Sequence, residues 1–128
     1  MRLIFSKGLH EKGGKRMNDP DLRMWAELLR VFGHPTRLAI LQELRLGAKC
    51  VSDITNLVEA RQANVSQHLM ALRKEGLVDF HEDGNLRCYY LTNSKMVEDL
   101  VSFLSKKYTY RRRSVRSVRL EGKRREEA

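Results

Sequence analysis

Cysteine is scarce in this chain of 128 residues, where Cys50 and Cys88 are the only two. Two thiols make no disulfide framework of the kind that staples small secreted domains, which fits a reducing compartment. Long apolar runs are missing as well: none approaches the ~18 residues that span a bilayer. The start, Met1-Arg2-Leu3-Ile4-Phe5, is too short for the apolar region of a signal peptide. A cytoplasmic protein with no membrane partner is expected. Catalytic constellations are absent too, with no phosphate-cradling glycine loop, no nucleophile elbow and no paired catalytic carboxylates. The chain is not expected to be an enzyme. His10, His34 and His81 are scattered, and none stands near a cysteine or a carboxylate cluster at ligand spacing, so neither a metal nor a cofactor is expected.

What is present is positive charge, +9 in all, and it is unevenly spread. Residues 1–18 carry five Lys or Arg against Glu11, and residues 106–128 carry ten against Glu121, Glu126 and Glu127. Residues 19–105 hold ten basic against twelve acidic side chains, so the expected folded body is slightly acidic. Non-specific attraction to a polyanion would come mainly from the ends. The length supports one domain with a modest core. The organisation expected is a flexible basic segment over 1–18, a folded domain over 19–106 and a basic tail over 107–128. Codons for Gly13-Gly14-Lys15-Arg16 are purine-rich and stand just upstream of Met17 at a spacing suited to a ribosome-binding site. Native translation is therefore expected to begin at Met17, with residues 1–16 an untranslated leader.

Local punctuation orders the rest. Asp19-Pro20-Asp21 is a helix start, and Leu22, Trp25, Leu28, Leu29 and Phe32 then recur at helical spacing. That stripe is broader than a small domain would cover, which makes this helix a candidate dimer element. Gly33-His34-Pro35-Thr36 breaks the helix, and Pro35 opens another with Leu38, Ile40, Leu41 and Leu44, ended by Gly47. Lys49-Cys50-Val51 reads as extended, and Ser52 is expected to cap a helix over 53–59 with Ile54, Leu57 and Val58 inward. A turn at Ala60-Arg61 leads to a helix from Gln62 to Glu75, stopped by Gly76. Leu77-Val78-Asp79-Phe80-His81 and Leu86 to Leu91 read as strands around an Asp83-Gly84-Asn85 turn. Asn93 or Ser94 can cap a last helix bearing Met96, Val97, Leu100, Val101 and Leu104, again more apolar surface than the core needs. The Arg-rich stretch beyond Lys106, with Arg111-Arg112-Arg113, Arg116 and Arg119, reads as a disordered arm or as a helical extension ordered by phosphates.

The helix from Gln62 joins two opposite surfaces. Val65, Leu69 and Leu72 fall at the spacing of a buried face, while Ser66, Gln67 and His68 form a polar cluster suited to base edges and phosphates. A second short helix of a tight pair, feeding directly into a hairpin, has the order of a winged helix-turn-helix. The fold class expected is mainly α with a small β-hairpin.

Taken together, Phe32-Gly33-His34-Pro35-Thr36-Arg37-Leu38-Ala39-Ile40-Leu41, Val65-Ser66-Gln67-His68-Leu69 and Cys88-Tyr89-Tyr90 resemble the ArsR family of dimeric winged-helix repressors, over roughly residues 22–105. The resemblance implies a homodimer built on the first and last helices, here through Leu22, Trp25, Leu28, Leu29, Met96, Leu100, Phe103 and Leu104. It also implies two recognition helices in successive major grooves of a palindromic operator on double-stranded DNA. Arg61, Gln62, Asn64, Ser66, Gln67 and His68 then fall on the operator-reading helix, with Arg73, Asn85 and Arg87 as further DNA contacts. Gln62 or Gln67 suits a bidentate contact to adenine, and Ser66 suits phosphate. The competing reading is a solvated helix face for Ser66 and Gln67, and a satisfied helix histidine for His68.

Several positions depart from the family pattern. Arg61 stands where relatives commonly have a capping Ser, and the wing tip Glu82-Asp83-Gly84-Asn85 is acidic where relatives often carry Arg or Lys. The arsenic-sensing branch has Cys-Val-Cys where this chain has Cys50-Val51-Ser52, and serine is a poor ligand for soft ions. The zinc-sensing branch uses Asp, His and Glu on the last helix, which here has Glu98 and Asp99 but no histidine. No family-type metal site is expected. In this fold the segment at Lys49-Cys50-Val51 commonly pairs with the second wing strand, so Cys50 and Cys88 are a candidate thiol sensor. The competing reading is two small, partly buried apolar side chains, and an unknown small effector stays open. The function expected is a sequence-specific transcriptional regulator, a repressor. Its rival is an architectural DNA-coating protein that acts through basic tails.

Overall fold

Four of the helices begin where a side-chain acceptor takes the place of a missing carbonyl, and two begin without one. The structure, a computed structural model, describes residues 18–127. The expectations for residues 1–17, including a start at Met17, lie outside the described residues. The first helix, α1 (Asp19–Phe32), is capped by Asn18, whose Oδ1 accepts from the Asp21 N–H at 3.1 Å. Asp19, Pro20 and Asp21 fill its first turn, where negative charge and a fixed φ both favour helix. In α2 (Pro35–Arg45) the cap is an imidazole: His34 Nδ1 accepts from the Thr36 N–H at 3.1 Å.

Strand β1 (Lys49–Cys50) runs straight into α3 (Val51–Leu57). Here the sequence expectation fails. Ser52 does not cap this helix but stands inside its first turn, and the N-cap residue is Cys50, which makes no side-chain capping bond. The helix starts at Val51 because the backbone leaves β1 without a spacer. Its first turn is closed instead by Thr55 Oγ1 donating to the Val51 carbonyl at 2.8 Å. The end of α3 also comes early. Glu59 has φ +53, and the Ala60 N–H reaches back to the Thr55 carbonyl at 3.4 Å, the six-to-one bond of a Schellman turn with glutamate in the glycine position.

The next helix, α4 (Gln62–Lys74), also lacks a side-chain cap at Arg61. Its far end has the Schellman geometry that the sequence foretells. Gly76 takes φ +82, its N–H bonds the Arg73 carbonyl at 2.9 Å, and the Leu77 N–H bonds the Leu72 carbonyl at 3.0 Å.

Strands β2 (Val78–Asp83) and β3 (Leu86–Leu91) form the wing, joined by the two residues Gly84-Asn85. Gly84 has φ +62 at the first central position, as a tight hairpin loop requires. All pairing is antiparallel in the order β1-β3-β2, with Cys50 opposite Cys88 and Phe80 opposite Tyr89. Asn93 is the cap of α5 (Ser94–Ser105), accepting from the Met96 N–H at 3.1 Å.

The tail holds a sixth helix, α6 (Val115–Glu127), so the helical extension is the form seen. Ser114 Oγ accepts from the Ser117 N–H at 3.1 Å, and Glu121 is bridged by Arg113 and Arg125. Those local bonds must hold α6, because of its side chains over residues 115–126 only that of Glu121 is partly covered. The core lies between α2, α3, α4 and the sheet, with Ile40, Leu41, Ile54, Val65, Leu69, Leu72, Leu77, Val78 and Val97 fully enclosed. From α1 only Phe32 is buried in it among apolar residues, so that helix stands mostly outside the packed centre.

Candidate nucleic-acid interface

Helix α4 is anchored by one face and offers the other. Val65, Leu69 and Leu72 have no solvent exposure, and together they remove three large aliphatic side chains from water, ~1.5–3 kcal/mol each. That face packs on α3 and α2, which fixes the rotation of α4 about its axis. Gln62, Asn64 and Gln67 are consequently exposed, as is Arg61, while Ser66 and His68 are half-buried. From Gln62 to Met70 the outward surface carries no charged side chain and offers amides and shape instead.

His68 is held from within the protein. Its Nδ1 accepts from Arg37 Nε at 3.1 Å, and its ring lies 4.3 Å from that of His34, tilted by 46°. Burial, then the nearby His34 and Arg37 charges, hold its pKa below the usual histidine value, so it is neutral at pH 7. Because Nδ1 accepts, the neutral ring carries its proton on Nε2 and keeps one donor for a second partner. Arg37 Nη1 also reaches the Val31 carbonyl at 3.5 Å, so one guanidinium ties the end of α1 and the start of α2 to the reading helix.

Two basic residues expected to contact DNA, Arg73 at the end of α4 and Arg87 on the wing, gather on one ring. Arg73 Nε bonds Asp79 Oδ1 at 3.0 Å with its guanidinium 4.5 Å from the Phe80 centroid, and the Arg87 guanidinium lies 4.6 Å from the same centroid. Asp79 is held below the usual carboxylate range by the Phe80 N–H and then by Arg73. Arg87 is also 3.5 Å from Glu82, so its charge is partly answered before any phosphate arrives. Asn85 is exposed at the tip beside Glu82 and Asp83.

The residues expected at a dimer interface are only thinly covered. Leu22, Leu29, Phe103 and Leu104 are exposed, while Trp25, Leu28, Met96 and Leu100 are half-buried. Trp25 Nε1 is buried with no acceptor among the described residues. The two cysteines do meet: Cys50 Sγ is 2.7 Å from Cys88 Sγ, and both side chains are half-buried. They stand at the junction of α3 with the wing, apart from the reading face. Among the described residues no group of three or more His, Cys, Asp or Glu is placed to hold a metal ion, and no helix is long and apolar enough to cross a membrane.

Sequence reasoning missed three side chains. Ala63 and Met70 share the outward face with Gln67, at spacings of four and three residues, and Met70 is 67% exposed. An exposed methionine in the middle of a reading helix was the available signal. Arg37 left no comparable trace, because its partner is 31 residues away.

Residues 34–79 match the family model described as bacterial regulatory protein, arsR family. An HTH-type transcriptional regulator of Methanocaldococcus jannaschii is 36% identical over 74 residues, covering 57% of this chain and 83% of the relative. The transcriptional repressor PagR of Bacillus anthracis is 37% identical over 81 residues, 62% of this chain and 80% of the relative. The crystal structure of NolR from Sinorhizobium fredii superposes with a TM-score of 0.64 at 26% identity, over 72% of this chain and 94% of that one. With the packed helix pair, the outward polar face and the hairpin beside it, these likenesses establish that the chain belongs to the ArsR family of winged helix-turn-helix DNA-binding transcriptional regulators.

Proposed function

We propose that the protein represses transcription in the cytoplasm by binding, as a homodimer, an inverted-repeat operator in double-stranded DNA. The observation that carries this is the outward face of α4. Its amides are exposed and uncharged on a helix whose other side is locked into the core. Gln62, Asn64 and Gln67 read base edges, with a bidentate amide contact to adenine as the natural pairing, and Ala63 suits the methyl group of thymine. Ser66 and Arg61 meet the backbone at the entry of the helix, Arg73 does so at its far end, and Arg87 and Asn85 do so from the wing. His68 acts from behind. Through Arg37 it positions α4 on α2, and its Nε2 proton is left for a phosphate.

The exposed apolar residues of α1 and α5, including Leu22, Leu29, Phe103 and Leu104, suit a two-fold interface with a second copy. Such pairing would set two α4 helices one turn of duplex apart, which is why an inverted repeat is expected. The test is selection of bound fragments from random duplex DNA by the full-length protein. One palindrome should emerge, and Gln67→Ala should then cost ~1–3 kcal/mol on it while leaving random DNA unaffected. Absence of any enriched sequence, with DNA still bound, would favour the coating function. Equal losses on both DNAs would remove Gln67 from the reader.

A further inference from the structure

Cys50 and Cys88 are the chain's only thiols, and the fold puts them directly opposite each other at the end of the β1-β3 ladder. Their sulfurs stand 2.7 Å apart, and neither side chain is fully enclosed, so a small reagent can reach them. Residues paired across antiparallel strands already have their α-carbons in the range a disulfide needs, and no backbone rearrangement has to precede bond formation. The position joins two working parts. Cys50 is the N-cap residue of α3, the helix that supports α4, and Cys88 follows Arg87 on the wing.

We propose that a hydroperoxide oxidises Cys50 and Cys88 to a reversible disulfide, and that this oxidation releases the protein from its operator. The regulatory half of this proposal rests on the operator-binding function above; the thiol chemistry does not. The two thiols share one S–H···S hydrogen bond in which either sulfur can be the donor, and it pushes the Cys50 thiol up to about 11; oxidation can start at Cys88, and the reverse order gives the same disulfide. The Cys88 thiolate attacks the terminal peroxide oxygen. The O–O bond breaks, the alkoxide or hydroxide leaves and takes up a proton, and Cys88 becomes a sulfenic acid. The Cys50 sulfur then attacks the Cys88 sulfur, the S–S bond forms, the S–O bond breaks, and water departs with the Cys50 proton. Two thiols give up two electrons, and the hydroperoxide is reduced to an alcohol, or to water, with a second water released.

A bond at this point fixes the wing against the start of α3 in the geometry of the free protein. Operator binding asks the wing and α4 to settle on adjoining parts of the duplex together, and a wing that cannot adjust loses its contacts. A coupling of this kind changes affinity about 5- to 150-fold. The tail is not tied by the bond, so binding to random DNA should hold.

The test treats the full-length reduced protein with hydrogen peroxide, then follows intact mass, peptide connectivity and affinity for the selected operator. Loss of two hydrogens, a Cys50–Cys88 linked peptide, weaker operator binding by about fivefold or more, and recovery with a dithiol reductant are expected. Cys50→Ser and Cys88→Ser should bind the operator like reduced protein and ignore peroxide, with Cys88→Ala as the alternative if the serine disturbs the sheet. Separate over-oxidation of one cysteine, or only intermolecular links, would overturn the switch and leave the thiols as packing residues. A disulfide that forms cleanly without changing operator affinity would overturn the regulatory claim alone. If reduced protein selected no operator while the disulfide still formed, the function proposed above would fail and the chemistry would stand.

Discussion

Truncation after Lys106 tests how this protein divides affinity from discrimination. Residues 107–128 carry nine basic side chains. Arg113 and Arg125 are engaged by Glu121, whose carboxylate is held below its usual range by Arg113 first. The other seven make no ion pair among the described residues and project from a helix and linker that are almost wholly exposed. Each phosphate neutralised contributes about 0.9 to the slope of log affinity against log salt. If three of the seven in each arm of a dimer reach phosphates, the arms supply a slope of about −5, and about a thousandfold in affinity between 50 and 200 mM salt. The truncated chain should therefore bind more weakly and with a much flatter salt dependence. The loss should be equal on the selected operator and on a random duplex, so the ratio of the two affinities is preserved. Fluorescence anisotropy over a salt series reads both quantities. Thermal unfolding should barely change, because removing α6 uncovers little of the core. An unchanged slope, or a loss confined to the operator, would refute the division.

Other perturbations test the scaffold. Glu59 holds a left-handed conformation that costs an L-residue roughly 1 kcal/mol relative to glycine, so Glu59→Gly should raise the thermal midpoint by a few degrees. A fall would mean that the side chain contributes more than its backbone costs. For His68 the folded pKa lies below the unfolded one, so its neutral form contributes stability that is fully present above about 6.5 and is lost as pH falls towards the lowered value. His68→Gln keeps an acceptor for Arg37 but cannot titrate, and denaturant midpoints from pH 7 downwards should show a shallower acid slope; an identical slope would exclude His68 as a contributor. Oxidation across Cys50 and Cys88 should stabilise the fold by up to about 4 kcal/mol through loop closure, lost again on reduction, and no shift in the denaturant midpoint would count against bond formation in the folded state.

How much of this was legible in the sequence depends on the distance over which each cue acts. Gly76, Gly84 and Asn93 mark element ends because the turn or cap needs those residues at those places, and the structure uses each accordingly. The α4 stripe of Val65, Leu69 and Leu72 was legible for the same reason, since its period needs no partner to be recognised. Ser52 misled because it has the chemistry of a cap without the position. With β1 pairing to β3 at Cys50, the helix must begin at the next residue, and that constraint comes from a strand 38 residues away. The same holds for Arg37 and His68, and for Arg73 with Arg87 around Phe80, whose meetings are set by packing between elements. The opposite case is α6, where the cap at Ser114 and the Glu121 pairs are local yet are masked by a composition too charged to declare an order.

These differences bear on how DNA binding is built. The reading face is uncharged, the wing tip is acidic, and the arginines at the wing base are already held on Phe80 by Asp79 and Glu82. Little on the folded body would draw it to phosphate. A reader that holds weakly by itself discriminates well, because a mismatched site has no strong electrostatic term to fall back on. A tail that attracts any duplex then raises occupancy without touching that ratio. Any signal acting on the wing and α4 alone would accordingly move the protein from operator to bulk DNA rather than into free solution, and binding of the oxidised protein to a random duplex, measured beside the operator, is where that displacement would be seen.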